Sequence, residues 1–256
     1  MYLCFDVGNT DIYGGVCRDG EPVLEFRVGQ HRHPSGDELG VFLLQILKAR
    51  TLDPEDLTAV AVASVVPDSN RPIERACREY LGMEPLFLQA GVRTGLKIRT
   101  KNPAEVGADR IANAMAAVHR FPGRDRIVVD MGTATTFCAI DREDGYLGGI
   151  IAAGLGLSME ALARNTAKLP FVDLRQPERL LGKTTTESMQ SGLYLAHLGL
   201  LKEAVRGLRE EAFAGREPVV IGTGGHARLF QNAGVFTEYV PGLVLYGLCQ
   251  AVELNA

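Results

Sequence analysis

The feature that most constrains the fold is a short segment that occurs twice, 124 residues apart. Phe5-Asp6-Val7-Gly8-Asn9 corresponds to Val129-Asp130-Met131-Gly132-Thr133, and at the same offset Tyr13 corresponds to Phe137. In each copy an apolar run ends in an acid and a glycine, and a second β-like run follows, which is typical of a strand-turn-strand unit. Chance similarity between two hairpins is the alternative. A true repeat predicts two similar lobes whose acid-glycine turns face one another across a cleft.

The order of predicted elements supports the repeat, because three strands followed by helices and further strands occur in both halves. Alternating or continuous apolar runs predict strands, and apolar residues at helical spacing predict helices. The strands are predicted at 2–7, 12–17, 22–28, 59–66, 85–88, 126–130, 135–140, 146–152 and 218–221. The helices are predicted from Ser35, after Pro67-Asp68-Ser69 to about Leu81, from the N-cap Asn102 to His119, at 156–166, 185–211 and 226–232, and from Pro241. The chain is therefore predicted to be α/β, with lobes at 1–120 and 121–256 and a last helix, 241–256, able to pack back on the first lobe.

Composition excludes several classes of protein. The chain has 256 residues, is 46% hydrophobic and carries a net charge of −4, so it can form a large core and has no basic surface typical of nucleic-acid binding. The N-terminus reaches Asp6 too soon for a signal peptide, and no run approaches the roughly 18 apolar residues of a membrane span. We therefore expect a cytoplasmic protein that binds neither nucleic acid nor a membrane.

Cysteines and histidines show no spacing typical of a metal site. The five cysteines are odd in number, include no C-x-x-C pair and lie mostly in apolar runs, which predicts buried free thiols in a reducing cytosol. His31 and His33 lie in a polar segment, and we expect them to be solvated.

The two acid-glycine turns suit phosphate chemistry. Small residues allow backbone N–H groups to approach phosphate oxygens, and such fixed donors stabilise the anion. Asp6 and Asp130 would repel a phosphate unless Mg²⁺, another cation or water lay between them. This combination is what phosphoryl transfer requires. The alternative is that each aspartate only caps its own turn.

Other nucleotide motifs are incomplete. Gly182-Lys183-Thr184 is similar to the end of a Walker A motif, but Pro177 occupies the position of the earlier glycine and no strand precedes it. Gly222-x-Gly224-x-x-Ala227 fits the dinucleotide fingerprint, yet only about 30 residues follow, too few for the rest of that domain. A glycine turn that approaches an adenosine is the better interpretation. The chain has no G-x-S-x-G hydrolase motif.

A third candidate is Gly107-Ala108-Asp109-Arg110, near the start of a predicted helix. The helix dipole stabilises an ionised acid at this place, and the loose transition state of phosphoryl transfer requires only a weak base. Arg110 is able to hold a carboxylate through two hydrogen bonds. The alternative is a solvated Asp-Arg pair at a helix start.

Taken together, the motifs resemble those of the type III pantothenate kinase family, in order and over nearly the whole chain. The segments that carry the resemblance are Asp6–Thr10, His33–Leu39, Gly107–Arg110, Asp130–Thr135, Gly182–Gly192 and Gly222–Gly225. The resemblance implies two ribonuclease-H-like lobes in an actin-like arrangement. It also implies ATP-dependent phosphorylation of pantothenate at its primary hydroxyl, the first step of coenzyme A synthesis, by a homodimer.

The resemblance also implies roles for individual residues. Asp109 matches the proposed base, and Asp130 matches the ligand of an activating K⁺ or NH₄⁺. ATP, with Mg²⁺, is expected at Asp6, Val7, Gly8, Asn9, Thr10, Asp11, Ile12, Tyr13 and Thr133. Pantothenate is expected at Gly107, Ala108, Asp109, Arg110, Thr185 and Thr100.

Two positions depart from the family pattern. The family often has tyrosine where this chain has Thr100, and Lys183-Thr184-Thr185 replaces the commoner Lys-Asn-Thr. Residue spacing alone does not select pantothenate as the acceptor. A kinase of another small hydroxylated acceptor, such as a sugar, and a nucleotide-binding regulator on the same scaffold therefore stay open as alternatives.

Overall fold

The computed structural model describes residues 1–30 and 34–256. The predicted solvation of His31 and His33 therefore concerns residues outside this description. The chain divides into two compact units. The first combines Met1–Leu96, Lys101–Arg120 and Leu243–Ala256, and the second combines Lys97–Thr100 and Phe121–Gly242.

The first unit is built on a five-stranded sheet in the order β3-β2-β1-β4-β5. β1, β2 and β3 are antiparallel, whereas β4 and β5 run parallel to β1. The strands are β1 (Tyr2–Val7), β2 (Asp11–Arg18), β3 (Glu21–Gly29), β4 (Ala59–Ser64) and β5 (Pro85–Phe87). The helices are α1 (Gly36–Ala49), α2 (Pro67–Leu81), α3 (Ala108–Arg120) and α6 (Leu243–Asn255), with a 3₁₀ turn at Pro54–Asp56.

Side chains alternate between the faces of this sheet. Leu3, Phe5 and Val7 of β1 form one core with Leu39 and Leu43 of α1, whereas α6 packs on the opposite face of β1 and β4. On that second face α6 also packs closely against α3. A Cβ atom at Gly247 of α6 would overlap the carbonyl group of Ala112, so the glycine permits this helix crossing.

The second unit contains a six-stranded sheet in the order β11-β10-β7-β8-β9-β6. Its strands are β6 (Lys97–Ile98), β7 (Arg126–Met131), β8 (Ala134–Ile140), β9 (Gly145–Ala153), β10 (Val219–Thr223) and β11 (Glu238–Tyr239). Its helices are α4 (Leu155–Arg164) and α5 (Thr185–Phe213), with a 3₁₀ turn at Ala227–Phe230. α5 supplies Leu193, Leu201 and Phe213 to the core beneath the sheet.

The two sheets share one topology, since β1 to β5 correspond in order and direction to β7, β8, β9, β10 and β11. One detail of the sequence alignment is wrong. Val7 pairs with Ile12, but Met131 pairs with Thr135, so the second hairpin turn is one residue shorter. Tyr13 pairs with Asp6 in the first hairpin. Its counterpart in the second hairpin, which pairs with Asp130, is therefore Thr136 and not Phe137.

The helix predicted from Asn102 is divided into two elements. A 3₁₀ turn, Pro103–Glu105, is followed by extended backbone at Val106, with ψ of 118°, and α3 begins only at Ala108. Asn102 makes no side-chain cap, because its amide donates to the side chain of Glu105. Asp109 consequently lies in the first turn of its helix.

Most other predicted boundaries agree with the structure within a few residues. The predicted start of α5 at Thr185 is confirmed, since Thr184 and Glu187 form a capping box. β6 and β11 were not predicted, because each has only two residues. In the part of the chain that is described, no helix is long and apolar enough to cross a membrane.

Candidate active site

The first acid-glycine turn lies at the carboxyl end of β1. The N–H of Gly8 donates to the carbonyl of Asp11 at 3.0 Å and closes the turn. Asp6 is half-buried at the strand end, whereas Asn9 and Thr10 are exposed at the tip. The turn therefore presents a small polar edge that a ligand can approach from solvent.

Gln30 supports this turn through hydrogen bonds from the buried side. The sequence pattern did not predict this role of Gln30. Its side-chain amide donates to the carbonyl of Gly8 at 2.9 Å, and its N–H donates to the carbonyl of Thr10 at 3.0 Å. The hydroxyl of Ser69, in the first turn of α2, donates to the side-chain oxygen of Gln30 at 2.9 Å. Gln30 is 3% exposed, so these partners are held in a buried network that connects the turn to α2.

Asp11 and Tyr13 are engaged with β3. Asp11 pairs with Arg27 at 2.8 Å, and the Arg27 guanidinium lies 4.3 Å from the centre of the Tyr13 ring. The Tyr13 hydroxyl donates to Glu25 at 2.6 Å, and burial together with Glu25 raises the pKa of Tyr13. Tyr13 therefore stays neutral, and its side chain supports the hairpin.

Val7 and Ile12 differ from the exposed tip residues. Both side chains are buried in the core of the first unit, at 0% and 1% exposure. Because these fractions include the backbone, neither residue is accessible to a ligand at the turn.

Asp109 is positioned by the start of α3. The N–H of Ile111 donates to the carbonyl of Gly107 at 3.1 Å, which makes Gly107 the point where helical hydrogen bonding begins. A Cβ atom at Gly107 would overlap the Oδ1 atom of Asp109, so only glycine leaves room for this carboxylate. Oδ1 is buried and has no hydrogen-bond partner among the residues described. The carboxylate thus lies at the positive end of the helix dipole with one acceptor atom unused.

The turn at Asp6 and the start of α3 lie at the same end of the first sheet. The N–H of Val65, just after β4, donates to the carbonyl of Val7 at 3.1 Å. A methyl group of Val65 would lie 3.5 Å from a Cβ at Gly107. Val65 therefore contacts both elements. Asp6 also belongs to the face of β1 that α3 and α6 cover, because side chains alternate along a strand.

Arg110, the next residue along α3, is partly buried. One of its guanidinium nitrogens donates to the carbonyl of Glu105 at 3.3 Å. This contact ties the side chain to the 3₁₀ turn that precedes α3.

The second acid-glycine turn belongs to the second unit and is more enclosed. The N–H of Gly132 donates to the carbonyl of Ala134 at 3.0 Å, as Gly8 does to Asp11 in the first turn. A Cβ at Gly154, the N-cap of α4, would overlap the carbonyls of Gly132 and Thr133. Gly224, with φ of +88°, lies against the carboxylate of Asp130. The backbone of Gly224 therefore covers one side of the half-buried Asp130 carboxylate.

His226 lies beside this second turn. The backbone N–H of His226 donates to the carbonyl of Met131 at 3.1 Å. Burial lowers the pKa of the His226 imidazole. The imidazole is consequently neutral at pH 7. It adds no positive charge near Asp130 that would oppose a bound cation.

The remaining predicted residues also belong to the second unit. Thr133 is exposed at the tip of the turn. Thr100 follows β6, and its hydroxyl is buried with no hydrogen-bond partner in the described chain. Thr185 is the exposed first residue of α5. Near Thr185, residues 175–183 form a cavity of about 320 Å³ with α5, and its lining includes Arg175, Arg179 and Lys183.

Comparison with known proteins identifies the family. The family model of type III pantothenate kinase matches residues 2–207. A type III pantothenate kinase of Legionella pneumophila (strain Paris) is 48% identical over 255 residues, covering 100% of this chain and 99% of the relative. One from Elusimicrobium minutum is 44% identical over 255 residues, with coverage of 100% and 99%. The chain belongs to the type III pantothenate kinase family.

Solved structures establish the fold. A chain described as a Baf family transcriptional activator from Campylobacter jejuni matches with a TM-score of 0.61 at 17% identity, covering 99% of this chain and 98% of that one. A 2-hydroxyisocaproyl-CoA dehydratase activator from Clostridium difficile, solved with bound ADPNP, matches with a TM-score of 0.50 at 13% identity and coverage of 99% and 96%. The predicted fold of actin-like ATPases is confirmed.

The network around Gln30 leads to a prediction for nucleotide binding. Gln30→Ala removes the donor to Gly8 and leaves Ser69 without its acceptor, so the turn loses its support. Losing a buried hydrogen bond costs about 1–2 kcal/mol, so ATP affinity should fall about tenfold in isothermal titration calorimetry. Gln45→Ala is the matched control, because Gln45 is exposed on α1 of the same unit. Unchanged ATP affinity in a folded Gln30→Ala protein would contradict the role.

Proposed function

We propose that the protein transfers the γ-phosphoryl group of ATP to the primary hydroxyl of pantothenate, giving 4'-phosphopantothenate in the first step of coenzyme A synthesis. The observation that carries the proposal is the family likeness over the full chain, at 48% identity over 255 residues. Asp6 and Asp109, at the same end of the first sheet, and Asp130, at the corresponding strand end of the second unit, are the acids that support it.

Asp109 is the proposed catalytic residue. Its Oδ1 atom is buried without a partner, and a substrate hydroxyl would supply the missing donor. The bond between the γ-phosphorus and the leaving ADP oxygen is largely broken in the loose transition state, so orientation of the hydroxyl matters more than a strong base. In the proposed complex Asp109 accepts the hydroxyl proton, and Arg110 binds the carboxylate of pantothenate.

The turn that ends β1 is the proposed phosphate site. Asn9 and Thr10 present the exposed edge, and Asp6 faces the phosphates through Mg²⁺ and its water ligands, because Mg²⁺ is bound by oxygen ligands. The buried side chains of Val7, Ile12 and Tyr13 give the turn its shape. Gly8 and Asp11 close it through their backbone hydrogen bond at 3.0 Å.

Asp130 is the proposed ligand of a monovalent cation, K⁺ or NH₄⁺. The enclosure of the turn by Gly154 and Gly224 supports this assignment, since a weakly hydrated ion suits a small site of carboxylate and carbonyl oxygens. The cation would offset negative charge near the ATP phosphates, and Thr133 at the tip of the same turn is a proposed ATP contact.

The other proposed pantothenate contacts are Gly107, Ala108, Thr185 and Thr100. Thr100 has a buried hydroxyl without a partner in the described residues, which fits a polar contact to substrate. A threonine is shorter than the tyrosine common in the family and has no ring. The contact at this place would therefore be a hydrogen bond with little apolar area.

An apolar surface of the second unit supports the proposal of a homodimer. A groove of about 660 Å³ between β9 and α5 is lined by Leu147, Ile150, Leu200 and Leu208. These four side chains are half-buried, and an apolar groove that is open to solvent is a candidate interaction surface. The proposed compartment is the cytoplasm, which five free cysteines and a role in coenzyme A synthesis support.

The reaction and its cation are tested in one assay. We expect ADP release that depends on pantothenate, requires Mg²⁺ and is several-fold faster in K⁺ or NH₄⁺ than in Na⁺ at equal ionic strength. A pantothenate analogue without the primary hydroxyl is the control and should release no ADP. ADP release with sugars but not pantothenate would favour a different kinase, and nucleotide binding without turnover would favour the regulator.

The role of Asp109 is tested by Asp109→Asn. The amide keeps the size of the side chain but cannot accept the proton, so kcat should fall about 10²- to 10⁴-fold. ATP affinity should be retained, because Asp109 does not belong to the turn at Asp6. The control Asp56→Asn changes an exposed aspartate of the same unit and should leave kcat unchanged. A near-normal kcat for Asp109→Asn would exclude the role.

The dimer proposal predicts that light scattering detects particles of two chains. Ile150 of β9 and Leu200 of α5 line the groove and provide the variants. Ile150→Arg and Leu200→Arg place charges in this groove and should shift the protein towards monomers. Val23→Arg is the control, because Val23 is 49% exposed on the first unit. A monomeric wild-type protein would refute the proposal.

A further inference from the structure

Three cysteines that are far apart in the sequence meet inside the first unit. Cys4 of β1, Cys17 of β2 and Cys249 of α6 have their sulfur atoms within 4.8 Å of one another, and the Cys4–Cys249 distance is 3.8 Å. Their exposures are 0%, 1% and 0%. Cys77 and Cys138 are also buried, but they do not belong to this cluster.

The fold aligns these three side chains. Cys4 lies on the face of β1 that α6 covers, and the residue paired with it on β2 is Gly15. A Cβ at Gly15 would lie 2.7 Å from a methyl carbon of Leu245, so the missing side chain allows α6 to come close. Cys17 pairs with Tyr2, which lies two residues from Cys4 and on the same face of β1. At Cys17 a register shift interrupts the pairing of β2 with β3. The sulfur atoms therefore converge between the sheet and α6.

The spacing of the sulfur atoms fits three-coordinate metal binding. A thiolate lies about 2.3 Å from a metal such as zinc, so three sulfurs around one ion in a plane are about 4.0 Å apart. The observed separations, 3.8 Å for one pair and at most 4.8 Å for the others, include this value. Shifts of a few tenths of an ångström would bring all three sulfurs to a common centre.

The surroundings favour a soft ion of low coordination number. Across residues 1–30 and 34–256, no histidine, aspartate or glutamate joins the three cysteines as a fourth ligand. Zinc in structural sites is almost always four-coordinate, whereas thiolates also select Cu⁺.

We propose that Cys4, Cys17 and Cys249 form a three-sulfur site for a soft monovalent metal ion of the Cu⁺ type. Each sulfur that binds the ion as a thiolate releases its proton to solvent, and the ion ties the C-terminal helix α6 to β1 and β2. The site lies between β1 and α6, and β1 is the strand that ends at the Asp6 turn. It is independent of the proposed kinase reaction, since neither ATP nor pantothenate takes part.

The test adds Cu⁺ to the reduced protein without oxygen, both to the native protein and during refolding, because the cluster is buried. We expect one copper per chain by elemental analysis and three sulfur neighbours at about 2.3 Å by X-ray absorption. Cys4→Ser, Cys17→Ser and Cys249→Ser should each abolish this signal. The matched controls Cys77→Ser and Cys138→Ser remove other buried cysteines and should retain it.

A measurement on the wild-type protein alone tests the proposal even if the variants fail to fold. Bound Cu⁺ should protect Cys4, Cys17 and Cys249 from alkylation as the protein is denatured, while Cys77 and Cys138 react, as read by mass spectrometry. Absence of stoichiometric copper in both the native and the refolding experiment would overturn the proposal. Preferential binding of Zn²⁺ in direct competition would overturn the assignment of a three-coordinate, Cu⁺-type site.

Discussion

Side chains alternate between the two faces of β1, and this alternation determines which of them face each helix layer of the first unit. Leu3, Phe5 and Val7 face the core shared with α1 and α2. Cys4 and Asp6 face the layer of α3 and α6, one buried in the interior and the other at the strand end. A shift of the register by one residue would bury the acid and move the apolar residues to the wrong face.

The second unit uses the same strand order around β7 but encloses its turn differently. The Asp6 turn has an exposed tip and is supported from beneath by Gln30. The Asp130 turn is one residue shorter and is in contact with Gly154 and Gly224. An open turn has room for a bulky, highly charged group such as a triphosphate, whereas an enclosed turn suits a small ion. Two copies of one motif can therefore serve different ligands.

Much of the fold was predictable because its signals are local. Each acid-glycine turn follows directly on its strand, and the capping box of α5 needs only Thr184 and Glu187, three residues apart. The division of the helix after Asn102 was not predictable in this way. Asn-Pro-x-Glu is a good helix start by local rules, but Val106 is extended and the helix begins again at Ala108.

Long-range contacts explain what sequence reasoning missed in the site. Gln30 follows β3 as one polar residue among several, and its importance depends on Gly8 and Ser69, which lie 22 and 39 residues away. The cluster of Cys4, Cys17 and Cys249 depends likewise on α6 packing against the N-terminal sheet. No spacing rule joins residues 4 and 249, since only the folded topology brings them together.

The unpaired oxygen of Asp109 is costly to the folded protein. A buried acceptor without a donor costs about 1–3 kcal/mol, and charged groups cost more. Gly107 leaves the space that this oxygen occupies, and the helix start stabilises the charge, but neither donates to Oδ1. A hydroxyl that binds here would complete the hydrogen bonding of the carboxylate and be oriented by it. In the proposed complex, the same unsatisfied atom would favour binding of the acceptor and align it for transfer.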